Sequence, residues 1–508
     1  MKNIIVVGAG IAGMSVGALL AKAGEAVTII EQEDRIMGRA GAIRGEDIKK
    51  KQWLAWMMRQ GDEWISKSNP PVDELIDGGY LNGYELDLAF HSWAHGDGGR
   101  PNQIFKYLGV DLEFKSQEPL CWYKDKIFPL PTSPEGFFAL AETGYITKEE
   151  IEKFVVEGLG TLMAQPISEY AKLNNLPLRT FLNQFTYNVL IHDLLEALAV
   201  TLGTVMDPFQ MPTGEFLRLL RSIIETQKNS GLPIGGMLGV AGKVKNIFES
   251  YGGKIILEAT VNKIIIEDGK TAGVIFTKGG KQETLSADIV VCNVPVQRMV
   301  RSNLIDHQYL PAGFIKNAKY TRGGGGVCGF FGINSPKVIP EQYRDKLFLV
   351  PIICEKFEGD FEWDPRLCAQ LETAVDPNKA PSGKDLMSSF TIVSQEGMHI
   401  PSIREKIANG HLETLEKMFP GFLKALDWYF FTTVPFGVGL EMSIRGLNLR
   451  YRDVELPTLK NCYFVGDTVE GWGCGMDGAV LSSVLVSDKI TGLNEIGKIL
   501  PSWLGRME

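Results

Sequence analysis

The chain lacks most of the features that assign a function quickly. Its 508 residues hold only six histidines and seven cysteines. The cysteines (Cys121, Cys292, Cys328, Cys354, Cys368, Cys462 and Cys474) are scattered and never form a C-x-x-C pair, which argues against zinc ribbons and thiol redox motifs. An odd number without a framework fits a reducing compartment. No uncharged apolar run reaches the roughly 18 residues that a spanning helix needs. After Met1-Lys2-Asn3 the chain turns apolar at once, but three glycines interrupt the stretch and no cleavage-site pattern closes it. It does not read as a signal peptide, so the cytoplasm is the expected location. Positive charge is also short: 52 Lys and Arg against 61 Asp and Glu leave a net charge of −9. The run Lys49-Lys50-Lys51 reads as a solvated patch, and no nucleic-acid partner is expected. His91 and His95 are four residues apart but have no further ligands in sequence, so no metal is expected. Internal repeats and low-complexity tracts are missing too.

What the chain has in plenty is apolar residues (44%) and glycine (56 residues). The first supports several structural units; the second, arriving in clusters, points to turns and to backbone that comes close to a ligand. The clearest cluster follows Asn3–Val7 (NIIVV), a β-branched run of the kind buried on both faces of a sheet. Gly8-Ala9-Gly10-Ile11-Ala12-Gly13 is G-x-G-x-x-G, leading into a helix over Met14–Ala23 that Gly24 ends. Ala26–Ile30 is a second strand closed by Glu31 and Gln32. Gly8 permits the tight turn, Gly10 lets a pyrophosphate reach the backbone, and Gly13 packs helix on strand, with Ala12 beside it. The helix N-terminus offers N–H groups to phosphate. Glu31 is placed to accept ribose hydroxyls and disfavours a 2′-phosphate.

Four further segments extend the pattern. Asp34-Arg35-Ile36-Met37-Gly38-Arg39 follows the acid. Pro233-Ile234-Gly235-Gly236-Met237 precedes a helix over Val240–Ser250, then strands around Lys254–Leu257, Val261, Lys263–Ile266 and Ile289–Val291, with an Asp268-Gly269 hairpin. Glu85-Leu86-Asp87-Leu88-Ala89-Phe90 precedes a segment ending in Leu108-Gly109. Near the end, the strand Asn461–Val465 meets Gly466-Asp467, then Gly471, Gly473, Gly475 and Gly478, then a small-residue helix over Ala479–Ile490. In this order the segments resemble those of the flavin amine oxidase and phytoene desaturase superfamily. Two positions depart from its pattern: Met37 and Ala89 stand where glycine is usual.

The resemblance implies FAD as cofactor. It implies that Gly38 and Arg39 run beside the pyrophosphate, that the Val261 backbone meets the adenine, and that Gly466 and Asp467 hold the ribitol. It also implies that Gly475, Met476 and Asp477 face the pyrimidine end of the flavin, where a helix N-terminus stabilises the charge of the reduced ring. The expected fold class is α/β: a discontinuous Rossmann-type FAD-binding domain with a mixed α+β substrate domain and a helical insertion. Its boundaries are FAD-binding parts at 1–117, 233–294 and 430–508, a helical lid insertion at 118–232 and a substrate domain at 295–429.

In the helical insertion, Ser133-Pro134 and the capping box Thr147–Glu150 start helices. Leu190–Met206 reads as a buried core helix ahead of a membrane-touching one. Gly323–Gly326 reads as a flexible turn ahead of a substrate path. The tail Ile496–Leu504 reads as a helix packed on its own domain, with a peripheral membrane contact as the alternative. The sequence carries no signal for oligomeric state. The expected reaction is hydride transfer between flavin N5 and a carbon of a small hydrophobic substrate, desaturating or saturating a C–C bond of an isoprenoid-like compound. Oxidation of an amine C–N bond, porphyrinogen oxidation and a non-catalytic binding role are the alternatives. Catalytic side chains are not identified; His91, His95 and Trp472 are the weak candidates, and Cys474 a remote one for covalent attachment.

Overall fold

The computed structural model describes residues 1–48, 65–117, 119–124, 126–131, 133–205, 207–226, 230–344, 348–350, 367–451, 453–469, 473 and 475–500. Lys49–Lys51, Cys354, Met206, Gly471, Trp472, Cys474 and the tail from 501 onward, all named above, lie outside the described residues.

The β-branched runs gather in one sheet, in the order 254–256, 26–30, 3–7, 289–292, 459–464, 270–278 and 259–267. Its first five strands are parallel. Parallel strands are covered on both faces, which explains their continuous apolar character. Ile4, Val6, Ile29 and Val291 face a layer of three helices, Ile11–Lys22, Gly236–Ser250 and Gly475–Thr491. Ile5, Val7, Ile30, Val290 and Cys292 face the antiparallel strands Ala259–Glu267 and Lys270–Lys278. Asp268 and Gly269 turn between those strands with φ of 49° and 72°, the left-handed pair a tight hairpin needs.

Several boundaries differ from the sequence reading. The stretch 295–429, assigned to the substrate domain, begins with two helices, Val296–Arg301 and Ala312–Tyr320, which pack on this first sheet through Val296, Met299, Val300, Phe314 and Ala318. Short apolar segments do not say in sequence which sheet they cover. A second sheet of eight strands runs 65–69, 426–438, 324–333, 385–393, 368–371, 348–350, 119–123 and 126–129. It takes one strand from the N-terminal FAD segment and two from the stretch read as mostly helical, and Leu426–Val438 crosses the 429/430 boundary. Alternation fixes its faces. Val327, Phe331 and Ile333 pack toward the helix Pro401–Met418, while Cys328 and Phe330 pack toward Leu81, Tyr84 and Leu86.

Three glycines of the run, Gly324 to Gly326, are corrected from a turn to a strand, because Gly324–Ile333 is continuous and fully buried. Aromatic rings fill the space its glycines leave. A Cβ on Gly326 would lie 1.9 Å from the Phe390 ring, and one on Gly332 would lie 2.2 Å from Trp428 Nε1.

A helical unit packs on the second sheet through Cys121, Tyr123 and Cys368. Ser133 caps the helix Pro134–Ala139, and Thr147 with Glu150 forms the reciprocal capping box. Val189–Gly203 is a core helix, with Leu190, Ile191, Leu194, Leu195 and Leu198 buried. Among the described residues no helix is long and apolar enough to cross a membrane. At the tail, Ile499 and Leu500 bury against the first sheet's helical layer.

Gly332→Ala therefore forces a rearrangement around Trp428, with an expected loss of about 1–3 kcal/mol. Gly242→Ala, in the helix Gly236–Ser250 with open space around its Cβ position, is expected to be neutral or stabilising by up to about 1 kcal/mol. Urea denaturation of both variants checks the pair.

Candidate functional site

The parallel strands end side by side, and Gly8, Glu31 and Gly466 lie at or just past their carboxyl ends. Gly8, at φ 98°, turns the chain out of the first strand. Gly10 caps the helix, which its carbonyl joins through the Met14 N–H at 2.9 Å. A Cβ on Gly13 would lie 2.0 Å from the Gly8 carbonyl oxygen, so only glycine allows this helix to sit so close to the strand. Ala12 lies in the first helical turn, and its carbonyl accepts from Ser483 of the last helix at 3.0 Å. Glu31 is buried, and its carboxylate accepts the Ala9 N–H at 2.6 Å and the Glu33 N–H at 2.9 Å. Burial raises its pKa, opposed by these N–H groups and that of the neighbouring Gln32. The Ala259 N–H donates to the Glu31 carbonyl at 2.9 Å, which brings half-buried Val261 near the acid.

Asn293 belongs to this turn and is missed by the sequence reading. It directly follows the strand Ile289–Cys292. With its amide oxygen facing the turn, it accepts the N–H groups of Gly10 at 3.3 Å and Gly13 at 3.1 Å. Its position immediately after a recognised strand is the signal that could have found it.

The second loop leans on the first. The Met37 N–H donates to the Ala9 carbonyl at 2.7 Å, and a Cβ on Gly38 would lie 3.3 Å from Gly10 Cα. Met37, standing where glycine is usual, adopts φ 72° and offsets the strain by burying its side chain completely. Arg39 reaches across to the C-terminal motif: its Nη2 lies 3.4 Å from Asp467 Oδ1 and its Nη1 3.4 Å from the Gly437 carbonyl. Asp467 also accepts the Gly439 N–H at 2.6 Å, and the Gly466 N–H is held by Ser482 at 2.8 Å.

The last helix begins at Gly475, so Gly475, Met476 and Asp477 form its first turn. Three buried arginines surround this start. Arg100 donates to the Asp477 carbonyl at 3.2 Å, Arg450 donates to the Gly473 carbonyl at 2.8 Å, and Arg218 is close enough to Arg100 to repel its charge. Glu215, on the same helix as Arg218 (Thr213–Thr226), accepts the Gly473 N–H at 3.4 Å. Burial lowers the Arg100 pKa to about 10, and burial raises that of Asp477 against the pull of Arg100 and His95. The helical unit thus contributes charge directly to the C-terminal motif. None of these arginines is singled out by sequence, because no local pattern distinguishes them from surface charges.

The two histidine candidates do not act together. His91 Nδ1 lies 3.3 Å from Asp87 Oδ2 and its Nε2 3.1 Å from the Arg39 carbonyl, whereas His95 Nε2 meets Ser222 Oγ at 3.0 Å. Among the described residues no group of His, Cys, Asp and Glu could hold a metal ion.

The residues present fit a flavin dinucleotide. The glycine turn offers bare backbone where any side chain would collide. Arg39 and Asp467 converge beside it, and Asp477 Oδ1 is buried without a hydrogen-bond partner at the head of the last helix. Fold and site together define an FAD-dependent oxidoreductase. The chain belongs to the flavin-containing amine oxidoreductase family, whose model matches residues 11–491.

Among curated proteins, it is 24% identical to the all-trans-retinol 13,14-reductase of Danio rerio, over 69% of this chain and 57% of that protein. It is 25% identical to the phytoene desaturase of Phycomyces blakesleeanus, over 76% of this chain and 64% of that protein. The chain thus spans less than two thirds of either relative. It is also 23% identical to the 4,4'-diapolycopene oxygenase of a Methylomonas species, over 96% and 98% of the two chains. In fold it is similar to an oxidoreductase from Methanosarcina mazei (TM-score 0.72, 18% identity, 96% and 100% covered). It is also similar to putrescine oxidase (TM-score 0.60, 16% identity, 97% and 99% covered).

Two outcomes follow. Asn293→Leu leaves the Gly10 and Gly13 N–H groups unpaired at a cost of about 1–2 kcal/mol. The FAD dissociation constant of the apoprotein, read by flavin fluorescence, is expected to rise about 5- to 30-fold. Burial pushes the Glu85 carboxyl from 4.5 up to about 7, with Lys379 opposing the rise. A raised carboxyl contributes stability below its unfolded pKa and loses it as pH rises through the folded value. Glu85→Gln should therefore gain on the wild type as pH goes from about 4.5 to 8. Equal urea midpoints relative to wild type across that window would show that Glu85 titrates normally.

Proposed function

We propose that this protein transfers a hydride between flavin N5 and a carbon of a hydrophobic, isoprenoid-like substrate, desaturating or saturating a C–C bond. The bound flavin would supply the two-electron acceptor or donor; the chain's own part is to bind, orient and keep water out. In this reading the Gly8–Gly13 turn and Arg39 hold the diphosphate, Glu31 and Gln32 the ribose, and Val261 the adenine. Gly466 and Asp467 hold the ribitol, and Gly475–Asp477 the pyrimidine end.

The observation that carries the substrate class is an apolar junction where three units meet. Phe90, just past Asp87, stacks on Phe390 of the second sheet with ring centroids 5.9 Å apart. Phe390 in turn packs on Ile392 and on Val200 of the core helix Val189–Gly203. A hydrocarbon is at home against such a wall, and the retinol reductase and phytoene desaturase relatives support the same class. The family description keeps amine oxidation as the second reading.

Anaerobic titration of the purified flavoprotein with polyenes, other isoprenoids and amines tests both. Bleaching of the long-wavelength flavin band by an isoprenoid is the expected result for the desaturase direction. Reoxidation of pre-reduced flavin by a polyene is expected for the reductase direction. Bleaching by amines alone would replace this proposal with C–N oxidation.

A further inference from the structure

Behind the cofactor loop, a chain of buried polar contacts runs into the second sheet. Lys379 is 4% exposed, and its ammonium pairs with Glu372 Oε2 and, at 3.3 Å, with Asp87 Oδ1. The other oxygen of Asp87 lies 3.3 Å from His91 Nδ1, and His91 Nε2 lies 3.1 Å from the Arg39 carbonyl. Gln370 holds the His91 carbonyl at 2.9 Å from the same segment that carries Glu372. Asp376 accepts the Gly235 N–H at 2.8 Å. A Cβ on Gly236 would strike Glu85 Oε1 at 2.3 Å and Lys379 Cε at 2.9 Å, so glycine at the head of that helix makes room for the cluster. A small cleft with room for about one water is lined by Asp87, Glu372, Asp376 and Lys379.

Burial alone would discharge Lys379, but Asp87 and Glu372 hold its pKa above the ordinary lysine range. Burial would raise Asp87, yet Lys379 and His91 keep it below the usual carboxylate value. Lys379 and Asp87 thus hold each other charged, and the last contact, from His91, lands on the backbone of the loop that leans on the glycine turn.

We propose that Lys379, Asp87 and His91 form a positioning relay through which docking of segment 370–379 sets the backbone of the Gly38–Gly41 turn and thereby the tightness of FAD binding. It rests on the reading above that this turn borders the cofactor. Lys379 belongs to the second sheet's side of the molecule, so cofactor affinity reports how that side is seated. A salt bridge with only a structural role would stabilise the fold without reference to His91.

A double-mutant cycle on FAD affinity separates the two. The variants are Lys379→Met, His91→Phe and both together, with the dissociation constant of the apoprotein for FAD measured by fluorescence and its melting temperature measured without FAD. Each single change is expected to weaken FAD about tenfold, the double to be no weaker than the worse single, and Lys379→Arg to restore most of the affinity. Multiplying effects in the double variant, or a Lys379→Met protein that melts earlier but binds FAD unchanged, would overturn the relay. If Lys379→Met does not fold, Glu372→Gln/Lys379→Met keeps the cluster's net charge and runs the same cycle. Wild-type apoprotein that binds no FAD would sink the cofactor reading itself, whereas additive losses on a protein that does bind it sink only the relay.

Discussion

The site depends on a single row of backbone hydrogen bonds across the ends of the parallel strands. The Gly8 N–H donates to Ile30, Glu31 to Ile256, Asn293 to Val7, and Val465 to Cys292, all between 2.8 and 3.0 Å. Buried strands cannot leave such groups unpaired, so the register is fixed. That register sets Gly8, Glu31, Asn293 and Gly466 abreast although they are spread over most of the chain. The proposed pyrophosphate, ribose and ribitol contacts at Gly8, Glu31 and Gly466 are laid out along that row.

Around the row, charge is handled by convergence from separate units. Arg39 reaches from the N-terminal loop to Asp467, Glu215 comes from the helical unit to the backbone just before the last helix, and Lys379 comes from the turn beside the second sheet to Asp87. Buried charges of this kind are costly unless each is paired, which ties the seating of one unit to that of another. The glycines work in the opposite sense, by removing side chains where backbone must approach backbone, as at Gly13, or where a ring must lie on a strand, as at Gly332.

Much of this was legible from local pattern. Asn3–Val7 and Ala26–Ile30 appear with the bounds expected, and the Asp268-Gly269 hairpin and the Thr147–Glu150 capping box are where their residues put them. Met37 shows the limit of motif reading: a departure from the glycine pattern is tolerated because its side chain finds a buried place that no local rule foresees. The run Gly323–Gly326 misled in the same way, since the Phe390 ring that packs on it comes from a strand far along the chain.

By itself, the sequence determined the G-x-G-x-x-G turn, its flanking strands and acid, and the order of segments that place the chain in its family, because each is a short-range pattern with one physical solution. Only the tertiary structure decided that Val296–Arg301 covers the first sheet, that Asn293 closes the glycine turn, and that Arg100, Arg218, Arg450 and Lys379 are interior charges. An arginine or lysine looks the same in sequence whether it faces water or a buried carboxylate. What distinguishes the two is the partner, and the partner is brought there by the fold.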